Sequence, residues 1–395
     1  MKITILTNLY PPFVRGGAEY LAHQLALELA SQQHDVAVIT SAPFSSLRQW
    51  RPEMRLEGGL RVYRFWPLNI YHYLTGPRVP KALRFVWQLI NLFNWPAAWT
   101  VKRILQRERP ELVISYNLMG LSFLLPRLIK KLGLKQVHTL HDVQLLHPSG
   151  LFMYGQAQTS AAMRAYQFIT RWLFAGVATV VSPSAWLLQT HQQQGFFKAS
   201  RCLVVPNPVP WTPVEPAIKT ARPPFKISYV GQIAEHKGVY WLIKNVKRCR
   251  RQDFELHLVA IGLNPELGKL KEAIGQDKRF IIQSGLTQKE IDTQVSESHL
   301  SLVPSLCYEN SPTAISKAGL AGTAVLAADL GGIPELVQVG VTGWLFKPGD
   351  GDDFLKRFKW CLDHPDDLLR AGLKASQVFE QRTLNNYARQ IVAQS

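Results

Sequence analysis

Short apolar runs recur along the chain at a strand-like period. In the first half they read KITILTN, DVAVIT, LRVYRF, ELVISY, KQVHTL, GVATVV and CLVVP. Most are separated by stretches whose apolar residues fall three and four apart, GAEYLAHQLALELASQ being the clearest. Strand–helix–strand alternation predicts a parallel sheet covered by helices on both faces. The pattern then stops. Pro206 to Pro224 holds seven prolines and almost no periodicity, which predicts a linker. It restarts at KISYVG and continues through FELHLVAIG, FIIQS, HLSLVPS and TAVLAA. The expected organisation is therefore α/β, with one domain over 1–205, a linker over 206–224 and a second domain over 225–380. A terminal helix over 381–395 can pack back on the first domain. Two domains also suit a chain of 395 residues.

The longest uncharged run, Phe85 to Val101, carries Gln88, Asn91, Asn94 and Pro96 and is short for a membrane span. It predicts a helix of the fold, with membrane contact as the lesser reading. The amino terminus, MKITILTNLYPP, reads as a first strand rather than a signal peptide. Hydrophobic residues make up 47% and charged residues 18%, which excludes a disordered chain. Cys202, Cys249, Cys307 and Cys361 are scattered without ligand spacing, so neither a disulfide framework nor a zinc site is expected. The expected location is cytoplasmic, peripheral to the inner face of the membrane if the chain touches one.

Charge changes this picture. The formal net charge is +17, and residues 1–210 hold 22 Lys/Arg against 8 Asp/Glu. A basic half suits a nucleic acid, an anionic membrane or an anionic substrate; a solvated basic surface is the plain alternative. No RNA-binding, zinc-finger or helix-turn-helix signature accompanies it, so nucleic acid is not an expected partner.

Candidate chemistry sits at the strand ends, where open α/β sheets bind ligands. Gly16 and Gly17 open a helix after the first strand and allow backbone N–H groups to approach an anion; a plain turn explains them as well. His141 follows the strand KQVHTL with Asp142 behind it. It can hydrogen-bond a reacting group or be a histidine satisfied by its loop. In YVGQIAEHKGV, Gly231, Gln232, Lys237 and Gly238 make a loop suited to a diphosphate, although the GxxxxGK[ST] spacing is absent. In VPSLCYENSPTAISKAG, Glu309 stands before Asn310, Ser311, Pro312 and Thr313 at a helix mouth with free N–H groups. A carboxylate beside an anion site needs hydroxyls to accept from, and a sugar nucleotide supplies hydroxyls and phosphate together. Lys317 lies two helical turns on. DLGGIPELV places Gly331 and Gly332 at another strand end. KPGDGDD contains Asp-x-Asp, but Asp350 as a helix cap explains it better than a metal site.

These motifs resemble the retaining GT-B glycosyltransferases of family GT4, also called group 1. YPPFVRGGAE, TLHD, VVPNPV, GQIAEHKGV, VPSLCYENSPTAISKAG, GGIPELV and TGWLFKPGD follow the family's order over nearly the whole chain. The resemblance implies two Rossmann-like domains facing each other across a cleft, and a nucleotide-sugar donor held mainly by the second. It implies no metal and no other cofactor. The acceptor is a saccharide or a lipid-linked sugar in surface polysaccharide synthesis, and the expected donor is a UDP-sugar, with GDP-mannose next.

Carried over, the expected catalytic pair is His141, which would contact the donor sugar near its reacting carbon, and Glu309, which would hold the sugar's hydroxyls and the developing positive charge. Lys237, the amides of Asn310 to Thr313 and those near Gly17 hold the diphosphate, beside Gly16, Gly231 and Gln232. Two positions depart from the family: Gln232 replaces an Arg, and Lys317 replaces the second Glu of Glu-x7-Glu, which accepts the ribose hydroxyls. An ammonium only donates. Lys317 is thus expected to reach a phosphate, donate to a ribose oxygen or point away. The last outcome fits the alternative reading, a degenerate transferase acting as a binding or scaffold protein. Arg61 to Arg109 carries nine Lys/Arg, one acid and ten aromatics. It is expected to dock on an anionic membrane, against the reading that its aromatics are core.

Overall fold

The structure, a computed structural model, describes residues 1–45, 51–156, 160–209, 216–261 and 266–394. The chain divides into two compact units: Met1–Leu151 with Ala157–Pro210 and Leu384–Ser395, and Phe152–Gln156 with Trp211–Thr383. Residues 210–215 of the expected linker lie outside the described residues.

The first unit is built on β1 (Lys2–Leu6), β2 (Asp35–Ser41), β3 (Glu53–Glu57), β4 (Leu60–Phe65), β5 (Leu112–Ser115), β6 (Lys135–Thr139), β7 (Thr179–Ser182) and β8 (Arg201–Val204). They form one sheet in the order β3-β4-β2-β1-β5-β6-β7-β8, parallel except for β3. Ile3, Ile5, Val36, Val38 and Ile114 are fully buried in the sheet, as unbroken apolar strands covered on both faces must be. Helix α1 (Gly17–Ser31) lays Leu21, Leu25 and Leu29 on that core. The last helix of the chain, α13 (Leu384–Val392), brings Tyr387, Ala388 and Ile391 to the same core.

Strand β3 was not among the expected strands. Its sequence, EMRLE, is almost wholly exposed, so no buried face marks it; the Gly58-Gly59 turn pairs it back on β4. The uncharged run that reads as one helix is two, α2 (Lys81–Leu92) and α3 (Trp95–Glu108). Pro96 cannot donate a helical N–H, and Asn94 restarts the helix by accepting from the Ala97 amide at 3.0 Å. Helices α4 (Leu125–Lys131), α5 (Ala161–Phe174) and α6 (Ala185–Gln193) complete the described helices of this unit. No described helix is long and apolar enough to cross a membrane.

The second unit holds six parallel strands in the order β11-β10-β9-β12-β13-β14. They are β9 (Phe225–Gly231), β10 (Phe254–Ala260), β11 (Phe280–Ser284), β12 (Leu300–Val303), β13 (Ala324–Ala328) and β14 (Gly343–Phe346). The edge strand β14, GWLF, is too short to declare itself by period. Helices α7 (Val239–Val246), α8 (Leu267–Ile274), α9 (Gln288–Ser296), α10 (Thr313–Leu320), α11 (Gly351–Asp363) and α12 (Pro365–Glu380) belong to it. Asp350 caps α11, accepting from the amides of Asp352 and Asp353 at 3.0 Å each, so the Asp-x-Asp run is a helix start. Among the described residues no group of three or more His, Cys, Asp or Glu is placed to hold a metal ion.

Candidate active site

The loop between β12 and α10 carries Glu309, and contacts along both of its edges fix it. Gly238 sits at φ 75°, between a short 3-10 turn (Glu235–Lys237) and α7. A Cβ there would lie 1.8 Å from the Pro304 carbonyl oxygen, so only glycine lets the two backbones meet. The Leu306 amide donates to the His236 carbonyl at 3.0 Å. Gly331, at φ 67°, approaches Glu309 so closely that a Cβ would stand 2.4 Å from the Glu309 carbonyl oxygen. The Gly332 amide donates to that same oxygen at 2.7 Å. On the other edge, Phe152 to Tyr154 runs antiparallel to the loop: the Tyr154 amide donates to Leu306 and the Tyr308 amide to Phe152, both at 2.9 Å. Nothing in the residues Phe152 to Tyr154 announces this role, because the pairing joins segments about 150 positions apart.

Held this way, Glu309 meets Lys237. The Lys237 Nζ donates to Glu309 Oε2 at 2.8 Å, and the Ser305 hydroxyl donates to Oε1. Burial raises the Glu309 carboxyl; Lys237, Ser305 and His236 together outweigh it and leave the group below its ordinary range. Burial lowers the Lys237 ammonium, and Glu309 outweighs that in turn. At neutral pH the pair is a carboxylate and an ammonium, aligned at the mouth of α10. Pro312 is the cap residue of α10, and no side chain caps this helix end. The amides after Asn310, Ser311 and Pro312, beginning with Thr313, are thus arranged for an anion beside a cation. Gly231 ends β9, and Gln232 is exposed just beyond, its carbonyl accepting from the Tyr229 hydroxyl at 2.7 Å.

Lys317 does not join this cluster. Its Nζ lies 2.8 Å from Asp292 Oδ1 on α9, and both side chains are largely buried. Burial lowers the Lys317 ammonium and Asp292 partly restores it. Gln288 also donates to Asp292 Oδ1, at 2.7 Å. A charge of the opposite sign from the family's stands here together with its own counter-charge. Asp292, 25 positions earlier, was not among the expected site residues because only the fold brings it to Lys317. Lys317→Glu sets two carboxylates against each other in a desolvated place. It is expected to lower stability by about 3 kcal/mol, and adding Asp292→Asn to recover most of it; thermal unfolding of the two variants checks this.

In the first unit, His141 follows β6 and stacks on Tyr116, ring centroids 5.0 Å apart. Burial pushes it down to about 4, so the imidazole is neutral at physiological pH. Gly16 is in extended conformation and its amide donates to Glu19 Oε2 at 2.9 Å. That amide is occupied by the carboxylate of the helix's own third residue.

Burial also pushes His138 down to about 3, and His72 and His191 down to about 4. Each takes up its proton near 6.5 when unfolded, so the unfolded chain binds more protons below that pH. The stability these groups allow is complete above 6.5 and is lost as pH falls toward 4. Asp142, raised by burial to about 6, runs the opposite way and offsets one of them in part. The first unit is expected to lose at least about 2 kcal/mol between about pH 7 and pH 5, read from urea midpoints.

A model of the glycosyl transferase 4-like domain matches residues 16–208, and a model of the glycosyl transferases group 1 matches residues 224–364. The chain belongs to the group 1 (GT4) glycosyltransferases. It is a transferase of the GT-B fold. A Klebsiella pneumoniae relative, described as an uncharacterized 42.6 kDa protein in the cps region, is 24% identical over 86% of this chain and 88% of its own. The colanic acid biosynthesis glycosyltransferase WcaL of Salmonella typhimurium, itself a putative assignment, is 25% identical over 43% of this chain and 45% of its own. The solved structure of Anabaena Alr3699/HepE in complex with UDP shares the fold at a TM-score of 0.71 and 18% identity, covering 100% of this chain and 99% of that one.

Proposed function

We propose that this glycosyltransferase moves a hexose, with retention at the anomeric carbon, from a UDP-sugar to a saccharide or lipid-linked acceptor in surface polysaccharide synthesis. The observation that carries the reading is the Lys237–Glu309–Ser305 cluster at the uncapped mouth of α10. A diphosphate suits the ammonium and the helix amides; sugar hydroxyls suit the carboxylate. Neutral His141 hydrogen-bonds the sugar as its bond to the diphosphate breaks. The charge that develops falls on the diphosphate oxygens, where Lys237 and the α10 amides stabilise it. Asp292 supplies the acceptor for the ribose hydroxyls that Lys317 cannot supply, with Lys317 and Gln288 holding its other oxygen. The UDP complex of the solved neighbour favours a UDP-sugar over GDP-mannose, and the WcaL relative's assignment favours a polysaccharide product.

The test is transfer of labelled hexose from UDP- and GDP-sugars to a lipid extract of the source cells, with the product anomer read by NMR. An axial product from an axial donor supports retention. An equatorial product overturns retention, and transfer from GDP-mannose alone overturns the UDP-sugar donor.

A further inference from the structure

Tyr387, on the helix that closes the chain, is polar where packing asks for an apolar residue. Residues Leu384–Ser395 belong to the first unit, although the chain before them, through Thr383, belongs to the second. Helix α13 lays Tyr387, Ala388 and Ile391 on the apolar core that also holds Ile3, Ile5 and Ile114. A phenylalanine would fill the same space. Tyr387 instead brings a hydroxyl into a place that excludes water, which costs free energy unless a polar partner meets it.

The Tyr387 hydroxyl adjoins two others, those of Tyr116 and Thr139. None of the three reaches solvent, and none completes a hydrogen bond of good geometry within the protein. A buried hydroxyl group held in this way lowers stability, and such costs concentrate where a structure serves function.

Both neighbours lead to His141. Tyr116 follows β5 and is fully buried; its ring is stacked on the His141 imidazole, the planes 14° from parallel. Thr139 ends β6, two positions before His141. The remaining support is backbone: the Tyr116 amide donates to the Leu6 carbonyl and the Leu140 amide to the Val181 carbonyl, both at 2.8 Å. These bonds fix the paths of the two segments, but not the turn of the imidazole about its own side-chain bonds. The Tyr116 ring fixes that, because turning either ring out of plane gives up the stack. The far end of the Tyr116 ring, its hydroxyl, is in turn held against Tyr387.

We propose that Tyr387 is a positioning residue: through Tyr116 and Thr139 it sets the angle at which the His141 imidazole is presented. The inference rests on the reading of His141 as the group that meets the donor sugar. A neutral imidazole has no charge with which to attract the sugar from a distance. Its contribution depends on aiming one nitrogen at one oxygen, and a hydrogen bond weakens steeply as its angle departs from linear. A residue that only held α13 on the core would not need the hydroxyl.

The test is Tyr387→Phe, which removes the hydroxyl and keeps the ring, made in the parent chain and in His141→Ala. The thermal midpoint is expected to stay within about 2 °C of the parent, because no well-formed hydrogen bond is lost. Transfer from the UDP-sugar that the assay above selects is expected to fall about tenfold in kcat, with the donor KM within about twofold. In the His141→Ala chain the same change is expected to cost nothing further. Independently of turnover, the ring protons of His141, assigned by their absence in His141→Ala, are expected to move in the NMR spectrum of Tyr387→Phe as the Tyr116 ring above them turns. Tyr116→Phe, which releases the same contact from the other side, is expected to reproduce both effects. The proposal is overturned if the His141 resonances stay in place in both variants, or if Tyr387→Phe costs as much without His141 as with it. A His141→Ala enzyme as fast as the parent overturns it through the role given to His141; resonances that nevertheless move tell that failure from a failure of the coupling.

Discussion

Glu309→Gln is expected to reduce sugar transfer by about 10²–10³-fold, the scale seen when one preorganised electrostatic group is removed from an active site. The change is isosteric, so the loop fixed by Gly238, Gly331 and Gly332 keeps its path. What is lost is the charge opposite Lys237, 2.8 Å away. The ammonium then lies in a largely desolvated place without its partner, which costs about 3 kcal/mol of stability in addition to activity. The two losses are separable. Glu309→Gln/Lys237→Met removes both charges and is expected to regain most of the stability and none of the activity. Release of nucleoside diphosphate and thermal unfolding, measured on the single and double variants, check both parts. A Glu309→Gln enzyme within about threefold of the parent rate would remove this carboxylate from the reaction.

Gly238→Ala is the structural counterpart. The added methyl would stand 1.8 Å from the Pro304 carbonyl oxygen, at a φ of 75° that strains any L side chain. Backbone atoms on both sides prevent a side chain from simply moving aside, so the turn before α7 and the loop from Pro304 to Glu309 must separate. A loss of about 4 kcal/mol or more is expected. Because Lys237 precedes Gly238 and Glu309 lies on the displaced loop, donor binding is expected to fall together with stability. Gly340→Ala serves as the comparison: it also has positive φ, but a Cβ there meets nothing within 4 Å, so it costs only its backbone strain, about 1 kcal/mol. Urea denaturation of the two variants, with nucleotide titration of whatever remains folded, decides between a packing requirement and mere turn preference.

Most of the frame was legible because its strands are buried on both faces and therefore read as unbroken apolar runs. Strand β3 escaped for the opposite reason: an exposed edge carries no apolar period. The α2–α3 break escaped because hydrophobicity continues straight through Phe93 and Trp95, and only the Asn94 cap and Pro96 mark the restart. At the site, each motif was visible as a strand end, but the pairings were not. Lys237 and Glu309 lie 72 positions apart, and their ion pair depends on glycines whose function appears only when two backbones are brought together. Lys317 is one of two positions where the residue departs from its family, and its partner lies on another helix. A lysine there is tolerated because Asp292 meets it, which no spacing rule along the chain would reveal.

The second unit is expected to hold a nucleoside-diphosphate sugar against Lys237 and Glu309. Calorimetric titration of the purified chain with UDP-, GDP- and ADP-sugars tests it most directly, repeated on Lys237→Met. Saturable binding of the UDP-sugar in preference to the others is expected, weakened about tenfold or more by loss of the lysine charge. Binding of no nucleotide sugar by a folded sample, or binding indifferent to Lys237, would contradict it.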